Sequence, residues 1–274
     1  MNADRSRSIS VRGVDQAWGA RRIISGLDAD IRPGALTAII GPNGCGKSTL
    51  LKTIARIAPP QAGTVFVGGD PADALSPKEL ARRVAMMTQG AMAPPDVTVG
   101  ELVARGRYPH QSFLRQWSDA DEAATVAAMR VAGVDAMSAR RVSELSGGQR
   151  QRVWLALALA QQSGILLLDE PTTYLDIGHQ YALLDLVSAL CSVGGRTIVA
   201  VLHDLQQAVR YADELVVMKD GEILAKGAPR DIVGPELIRE VFGIDVDVVH
   251  HAGTGDPLIV PVNRVLPDVA MLGT

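Results

Sequence analysis

The chain has 274 residues, of which 47% are hydrophobic and only 4% are aromatic. This length suits a single α/β domain with a helical insertion, and the composition predicts a core built mainly from Leu, Val, Ile and Ala. A formal net charge of −3 and an isoelectric point near 6.0 argue against a nucleic-acid-binding protein, which usually carries a basic face.

The chain has two cysteines, Cys45 and Cys191, and their spacing predicts neither a disulfide framework nor a metal site. A reducing compartment is therefore expected. Residues 1–10 lack the apolar segment of a secretory signal, and no run approaches the roughly 18 apolar residues of a membrane helix. If the protein works at a membrane, another chain must span it.

The first third of the chain is predicted to be mainly β-structure that leads into a glycine-rich loop. Residues 8–18 and 23–31 read as two strands joined by a hairpin, and residues 35–40 as a short buried strand. The loop follows this strand directly, and residues 47–58 read as a helix that ends at Pro59-Pro60. Shorter strands are predicted over 63–69 and 84–88.

Residues 98–162 have helical character almost throughout. We therefore expect one domain over 1–274, with a core from about 1–89 and 163–274 and a helical subdomain over about 90–162. After this insertion, strands and helices alternate, which predicts a parallel sheet with helices on both faces.

The tail from Gly243 is rich in Val, Pro and Gly and is read as short strands that close one edge of the sheet. His250 and His251 are expected to lie at the surface, because neighbouring residues of one strand point to opposite faces. A shared metal site is the rejected alternative.

A phosphate-binding loop is predicted immediately after the buried strand. The residues Gly41, Pro42, Asn43, Gly44, Cys45, Gly46, Lys47 and Ser48 fit the pattern G-x-x-x-x-G-K-[ST]. Glycines allow backbone N–H groups to approach phosphate oxygens, and the helix that follows adds positive charge at its N-terminus. Lys47 is expected to reach the β- and γ-phosphates and the Ser48 hydroxyl to bind Mg²⁺, so Gly41 to Thr49 should hold ATP and Mg²⁺.

Two acidic residues, Asp169 and Glu170, end the apolar run Ile165-Leu166-Leu167-Leu168. Burying charge beside such a strand is costly unless a partner is present, and Mg²⁺ at the phosphate-binding loop would be that partner. We therefore expect Asp169 to contact Mg²⁺ and Glu170 to act as the general base on the attacking water. The alternative is that both acids simply cap the next segment.

The segment Leu145-Ser146-Gly147-Gly148-Gln149 resembles the signature motif of ABC-type ATPases. This resemblance covers the chain from about Ser8 to the tail. It implies an α/β fold: a P-loop NTPase (RecA-like) core with a parallel sheet, an antiparallel β edge and an inserted α-helical subdomain. It also implies a homodimer of ATPase subunits, in which the cradle of one copy faces Ser146, Gly147, Gly148 and Gln149 of the other with ATP between them.

Further residues match the family in order, and their roles are implied by that match. Gln89 resembles the glutamine that senses Mg²⁺ and the attacking water, and Asp176 lies in a segment like the loop that crosses the dimer. His203 resembles the histidine that contacts the γ-phosphate. Trp18 lies where the family places an aromatic ring that stacks on adenine.

The segments 106–111 and 172–180 are similar to those of ATPases that serve ferric-siderophore importers, although Gly178 replaces the expected Ala or Ser. This similarity implies separate membrane permease subunits, an indirect extracytoplasmic solute-binding protein, and a peripheral position at the cytoplasmic face of the cell membrane. Haem and cobalamin importers of the same branch are alternatives. A soluble ABC ATPase that acts on ribosomes or DNA and a regulatory module without turnover are others.

Overall fold

The computed structural model describes residues 6–19, 21–112 and 117–262. Within these ranges, a four-stranded antiparallel sheet has the order β2-β1-β4-β5. Its strands are β1 (Ile9–Trp18), β2 (Arg21–Ile31), β4 (Ala62–Val67) and β5 (Asp70–Pro71). This sheet confirms the predicted antiparallel β edge.

A second, six-stranded sheet has the order β10-β9-β3-β8-β7-β6 in the described residues. Its strands are β3 (Leu36–Ile40), β6 (Val84–Met87), β7 (Ile165–Asp169), β8 (Thr197–Val201), β9 (Glu214–Lys219) and β10 (Glu222–Gly227). Strands β3 and β6 to β9 are parallel, and β10 joins the edge as an antiparallel hairpin strand. The predicted parallel sheet is confirmed.

Two apolar layers cover the two faces of this sheet. Because successive strand residues point to opposite faces, β7 sends Leu166 and Leu168 to one layer and Ile165 and Leu167 to the other. Strands β3, β7 and β8 are buried along their whole length, as expected for parallel strands covered on both sides. Their carboxyl ends open at the same edge, where residues that follow them can meet.

The helices of the core pack on both faces of the sheet. Helix α1 (Lys47–Ile54) follows β3, and α2 (Pro77–Arg83) precedes β6. Helices α6 (Ile177–Ser192) and α7 (Leu205–Tyr211) follow β7 and β8. The short helices α8 (Pro229–Ile232) and α9 (Pro235–Phe242) follow β10. No helix of the described residues combines the length and hydropathy that a membrane crossing requires.

Between β6 and β7 the chain forms α3 (Val99–Ala104), α4 (Asp119–Ala132) and α5 (Gly147–Ala160), with a 3₁₀ segment at Arg105–His110. A buried ion pair fixes that segment: Arg107 Nε lies 2.9 Å from Asp121 Oδ1, and each side chain is 5% exposed. Arg107 also donates to the Ala160 carbonyl oxygen at 2.7 Å. The segment is thereby attached to both α4 and α5.

The C-terminal strands β11 (Val246–His250) and β12 (Pro257–Pro261) pair with each other and form a separate hairpin. The expectation that they close an edge of the main sheet is therefore wrong. The reason is local: Gly243 ends α9 with a left-handed φ of 69°, and the hairpin then packs on α7, where Gln206 Oε1 accepts from Ile259 N at 3.1 Å.

His250 and His251 are both exposed, but the reason given for this is wrong for His251. This residue lies just beyond the strand, where its Nδ1 accepts from Gly253 N and Thr254 N at 3.2 Å. Its ring therefore organises the turn between β11 and β12.

Candidate nucleotide site

The predicted phosphate-binding loop connects the buried strand β3 to α1. Gly41 has φ 148°, and a Cβ at this position would lie 2.0 Å from the Met218 carbonyl oxygen, so the loop requires glycine there. Gly46, with φ 109°, precedes the first residue of α1. The loop thus ends at a helix N-terminus, whose free N–H groups and partial positive charge favour an anion.

Lys47 is only 5% exposed, and its ammonium group stays inside the loop. Its Nζ donates to the carbonyl oxygens of Gly41 at 2.8 Å and Pro42 at 2.9 Å. These neutral acceptors leave the positive charge uncompensated, which suits binding of a phosphate. Cys45 in the same loop is buried, and burial raises the pKa of its thiol.

Ser48 and Asp169 meet as the sequence predicts. The Ser48 hydroxyl donates to Asp169 Oδ1 at 2.6 Å, and Asp169 is 1% exposed at the end of β7. Burial raises the pKa of the Asp169 carboxyl, against the opposing effects of the Ser48 hydrogen bond and the Lys52 charge. Mg²⁺ binds oxygen ligands such as hydroxyl and carboxylate oxygens. Ser48 and Asp169 therefore fit this ion, and its charge would offset the cost of burying the Asp169 carboxylate.

Glu170 has a left-handed backbone, with φ 54°. A non-glycine residue in this region stores strain of about 1–3 kcal/mol and persists only where its surroundings fix it. The turn directs the carboxylate towards the neighbouring loop ends: Oε1 lies 2.5 Å from His203 Nε2, and Oε2 accepts from Gln89 Nε2 and, at 3.2 Å, from Thr173 Oγ1. Gln89 and His203, which follow β6 and β8, therefore converge on the carboxylate of Glu170, which follows β7.

A cavity of about 210 Å³ lies between the loop and this carboxylate. It is lined by Arg21, Ile23, Asn43, Gly44, Gly46, Lys47, Ser48, Thr49, Glu170 and His203. Sequence reasoning missed Arg21 and Ile23, which reach the cavity from β2. Trp18 is not among the lining residues and is 57% exposed at the end of β1, so its predicted contact with adenine stays a prediction.

The signature segment lies elsewhere, at the start of α5. Ser146 caps this helix: its hydroxyl accepts from Gln149 N at 3.3 Å, and Gln149 Oε1 accepts from Ser146 N at 3.1 Å. A cavity of about 340 Å³ adjoins it, lined by Ser146, Gly147, Gly148, Gln149, Arg152, Tyr174, Leu175, Asp176 and His179.

Asp176 belongs to this second cavity, where it caps α6 by accepting from His179 N at 2.9 Å. The cavity shares no lining residue with the loop cavity. The structure therefore sorts the predicted site residues into two groups. We name them the cradle (Gly41–Thr49 with Gln89, Asp169, Glu170 and His203) and the signature surface (Ser146–Gln149 with Asp176).

The chain resembles known proteins over most of its length. Residues 24–173 match a family model described as ABC transporter. The chain is 47% identical over 253 residues to the ferric enterobactin transport ATP-binding protein FepC of Escherichia coli (strain K12), covering 92% of this chain and 93% of FepC.

Two solved structures have the same fold. An inward-facing metal-chelate type ABC transporter matches with a TM-score of 0.80 and 25% identity, covering 94% of this chain and 98% of that chain. The dimeric structure of MJ0796, a bacterial ABC transporter cassette, matches with a TM-score of 0.72 and 26% identity, covering 80% and 98%.

Proposed function

The chain belongs to the ABC transporter family and is an ATP-binding subunit of this family, and we propose that its ATP hydrolysis powers the uptake of an iron–siderophore complex. The convergence of Gln89, Glu170 and His203 beside the phosphate-binding loop carries the ATPase part of this proposal. The iron–siderophore part is supported by the identity to FepC, whose name specifies ferric enterobactin, and by the segments 106–111 and 172–180.

At the cradle, ATP phosphates bind against the N–H groups of the loop and the Lys47 ammonium. Ser48, Gln89 and Asp169 would hold Mg²⁺, which neutralises charge on the β- and γ-phosphate oxygens when bound. Glu170 takes the proton of the attacking water, and such a positioned base contributes about 10²–10⁴-fold to the rate. His203, 2.5 Å from the same carboxylate, orients it and faces the γ-phosphate.

Each nucleotide is shared between two copies of the chain. The phosphate-binding loop and Ser146 line separate cavities, so the Ser146 end of α5 is available to the nucleotide of a partner subunit. A two-fold contact of this kind is closed and uses the same surfaces on both copies. The likeness to a dimeric cassette supports this homodimer.

A separate membrane permease completes the transporter, and the chain works as a peripheral subunit at the cytoplasmic face of the membrane. We infer that residues 90–162 form the helical subdomain, which moves against a core of residues 1–89 and 163–274. A cavity of about 330 Å³ lies between the loop from Gln89 and helix α5. It supports this role, because Glu170 and residues of the helical segment line it together. An extracytoplasmic solute-binding protein delivers the iron chelate to the permease.

Transport assays in cells that lack the native chain test this proposal. The wild-type chain should restore uptake of ⁵⁵Fe-labelled ferric siderophores, and the Lys47→Ala variant, which cannot neutralise the phosphates, should not. Labelled haem and labelled cobalamin are the matched alternative solutes. Restoration of either of these, without ferric-siderophore uptake, would contradict the iron–siderophore assignment and leave the ATPase assignment intact.

A further inference from the structure

Two glutamine side chains join helices α6 and α7 next to the nucleotide site. Gln207 Nε2 donates to Gln180 Oε1 at 2.6 Å, although the two residues lie 27 positions apart in the chain. Gln180 Nε2 in turn donates to the carbonyl oxygens of Leu175 at 3.0 Å and Thr172 at 3.4 Å. Gln207 is 2% exposed, so this contact is made in the protein interior.

The donor and the acceptor of each of these hydrogen bonds can be assigned from the backbone carbonyl groups at one end of the series. Backbone carbonyl oxygens can only accept, so Gln180 must point its NH₂ group at Leu175 and Thr172. Its Oε1 then faces Gln207, which must present its own NH₂ group. The remaining oxygen, Gln207 Oε1, is buried without a hydrogen-bond partner among the described residues. An unsatisfied buried acceptor costs stability, and this cost follows from turning the NH₂ group of Gln207 towards Gln180.

This series of hydrogen bonds runs from the cradle to the signature surface. Gln207 is held by Asp204, which follows His203: Gln207 N donates to Asp204 Oδ1 at 2.9 Å. The carbonyl groups of Thr172 and Leu175 belong to the loop that leads to Asp176. One end is therefore attached to the His203 loop of the cradle, and the other to the loop that lines the signature surface.

We propose that Gln180 and Gln207 are a positioning pair that fixes the loop 172–176 relative to the His203 loop. The pair couples each subunit's own nucleotide, next to His203, to the loop that faces the nucleotide held by the partner subunit. This inference rests on the proposed dimer of shared sites. Neither glutamine contacts the reacting atoms; both act through the loops that they hold.

Replacement by an apolar residue of similar size tests the pair. In the purified full-length chain with Mg²⁺ and ATP, Gln180→Leu and Gln207→Leu should each lower kcat about tenfold, the effect of losing one or two buried hydrogen bonds. The Kd for ATP should stay within about twofold, because neither residue lines the cradle cavity. The double variant should lose no more than the worse single variant, because the pair acts as a unit.

Tyr211→Phe is the matched control. The Tyr211 hydroxyl donates to Asp185 Oδ1 at 2.7 Å and joins the same two helices at positions farther from both loops than the glutamine pair. Its loss should lower Tm and leave kcat unchanged. If Tyr211→Phe lowered kcat as much as Gln180→Leu, the glutamines would be ordinary helix-packing residues and the proposal would be overturned.

Gln180→Glu gives a second readout that does not depend on lost packing. A protonated Glu can donate one hydrogen bond to the Leu175 carbonyl oxygen and still accept from Gln207, whereas an ionised Glu repels the two carbonyl oxygens. The kcat of this variant relative to wild type should therefore rise as the pH falls from 8 to 6. The neighbouring groups Asp176, His179, His203 and Asp204 are the same in both proteins, so the ratio removes their contribution.

A ratio that does not change with pH would overturn the proposal. If the wild-type chain itself failed to hydrolyse ATP, the proposed function would fall instead, and the two failures are distinguishable in one experiment.

Discussion

The cradle and the signature surface differ in how many of their contacts are already formed within a single chain. In the cradle, Glu170 is held by side chains that follow three strands, and Ser48 already contacts Asp169. At the signature surface, the hydrogen bonds described for Ser146 run to Gln149 and Arg150 of its own helix. The first region has its side chains already in contact with one another, whereas the second presents a capped helix N-terminus to which an anion can bind.

This difference has a physical origin. Groups at the ends of parallel strands are fixed by a sheet that is buried on both faces, so they can be placed accurately without ligand. The start of α5 is held by its own capping hydrogen bonds and by the Gln151 side chain, whose Nε2 donates to the Pro171 carbonyl oxygen at 2.8 Å. Under the proposed function, a nucleotide bound in the cradle would therefore meet its metal ligands and its base already in place, and a second subunit would supply the remaining donors.

The largest expected effect concerns the base in the cradle. Glu170→Gln keeps the shape of the side chain and its contact with His203 but removes proton acceptance, so kcat should fall about 10²–10⁴-fold while ATP still binds. Phosphate release and a nucleotide-binding assay measure the two quantities. Glu222→Gln, the same change at an exposed position of β10, should alter neither. Near-normal hydrolysis by Glu170→Gln would exclude this residue as the base.

Mixing two inactive variants tests whether the two regions complete one another across a dimer. Lys47→Ala disables the cradle and Ser146→Arg disables the signature surface, but a mixed dimer contains one intact shared site. An equal mixture should therefore regain about one quarter of wild-type activity, since half of the dimers are mixed and each has one working site. Phosphate release after subunit exchange measures this.

The control for that mixture pairs two cradle variants, Lys47→Ala and Glu170→Gln. Both sites of such a mixed dimer contain a disabled cradle, so no activity should return. Full activity of a strictly monomeric preparation, with Ser146 dispensable, would contradict the shared site altogether.

A smaller effect is expected on stability at Asp169. Burial raises the pKa of this carboxyl above its ordinary value of 3.8. The neutral carboxyl therefore stabilises the fold at a pH below 3.8. This stabilisation is lost as the pH rises through the pKa of the folded state. At pH 7 the ionised group is destabilising without a cation. Asp169→Asn should therefore raise the free energy of unfolding of the nucleotide-free chain by about 1 kcal/mol.

The same variant should lose the extra stability that Mg²⁺ and ATP together give the wild type, because a ligand of the cation is gone. Urea unfolding at pH 7, with and without these ligands, measures both effects. A lower stability of nucleotide-free Asp169→Asn would show that the carboxylate is well paired within the chain.

Local patterns in the sequence indicated the loop and the two acidic residues of the cradle. A glycine-rich loop between a strand and a helix, and two acids at a strand end, are set by neighbours in the chain, and the structure brings Lys47, Ser48, Asp169 and Glu170 together. The fold class was also predictable, because strands and helices alternate after residue 163. The roles of these site residues stay predictions that the experiments above address.

Other features depend on contacts between distant segments. Arg21 and Ile23 line the cavity because β2 lies beside the loop, which no pattern within β2 indicates. The pairing of Gln180 with Gln207 joins two helices and has no periodic signal. The C-terminal hairpin was misplaced because Val-rich strands do not specify whether they pair with the main sheet or with each other.

The smallest predicted effect concerns Trp18, the exposed residue at the end of β1. In the β1–β2 pairing Trp18 lies opposite Arg21, and Arg21 lines the cavity, so an adenine that extends from the phosphates can reach the exposed indole. Stacking of aromatic rings contributes about 0.5–1.5 kcal/mol, so Trp18→Ala should raise the Kd for ATP about threefold to tenfold.

Trp18→Phe should bind ATP nearly as well as wild type, because a phenyl ring still stacks. It should lose the quenching of indole fluorescence that ATP causes when adenine covers Trp18, and this separates the Trp18 signal from that of Trp117 and Trp154. Arg21→Ala sharpens the comparison. If this variant weakened ATP binding while Trp18→Ala did not, the adenine would lie against β2. Arg21, which sequence reasoning missed, would then take the role given to Trp18.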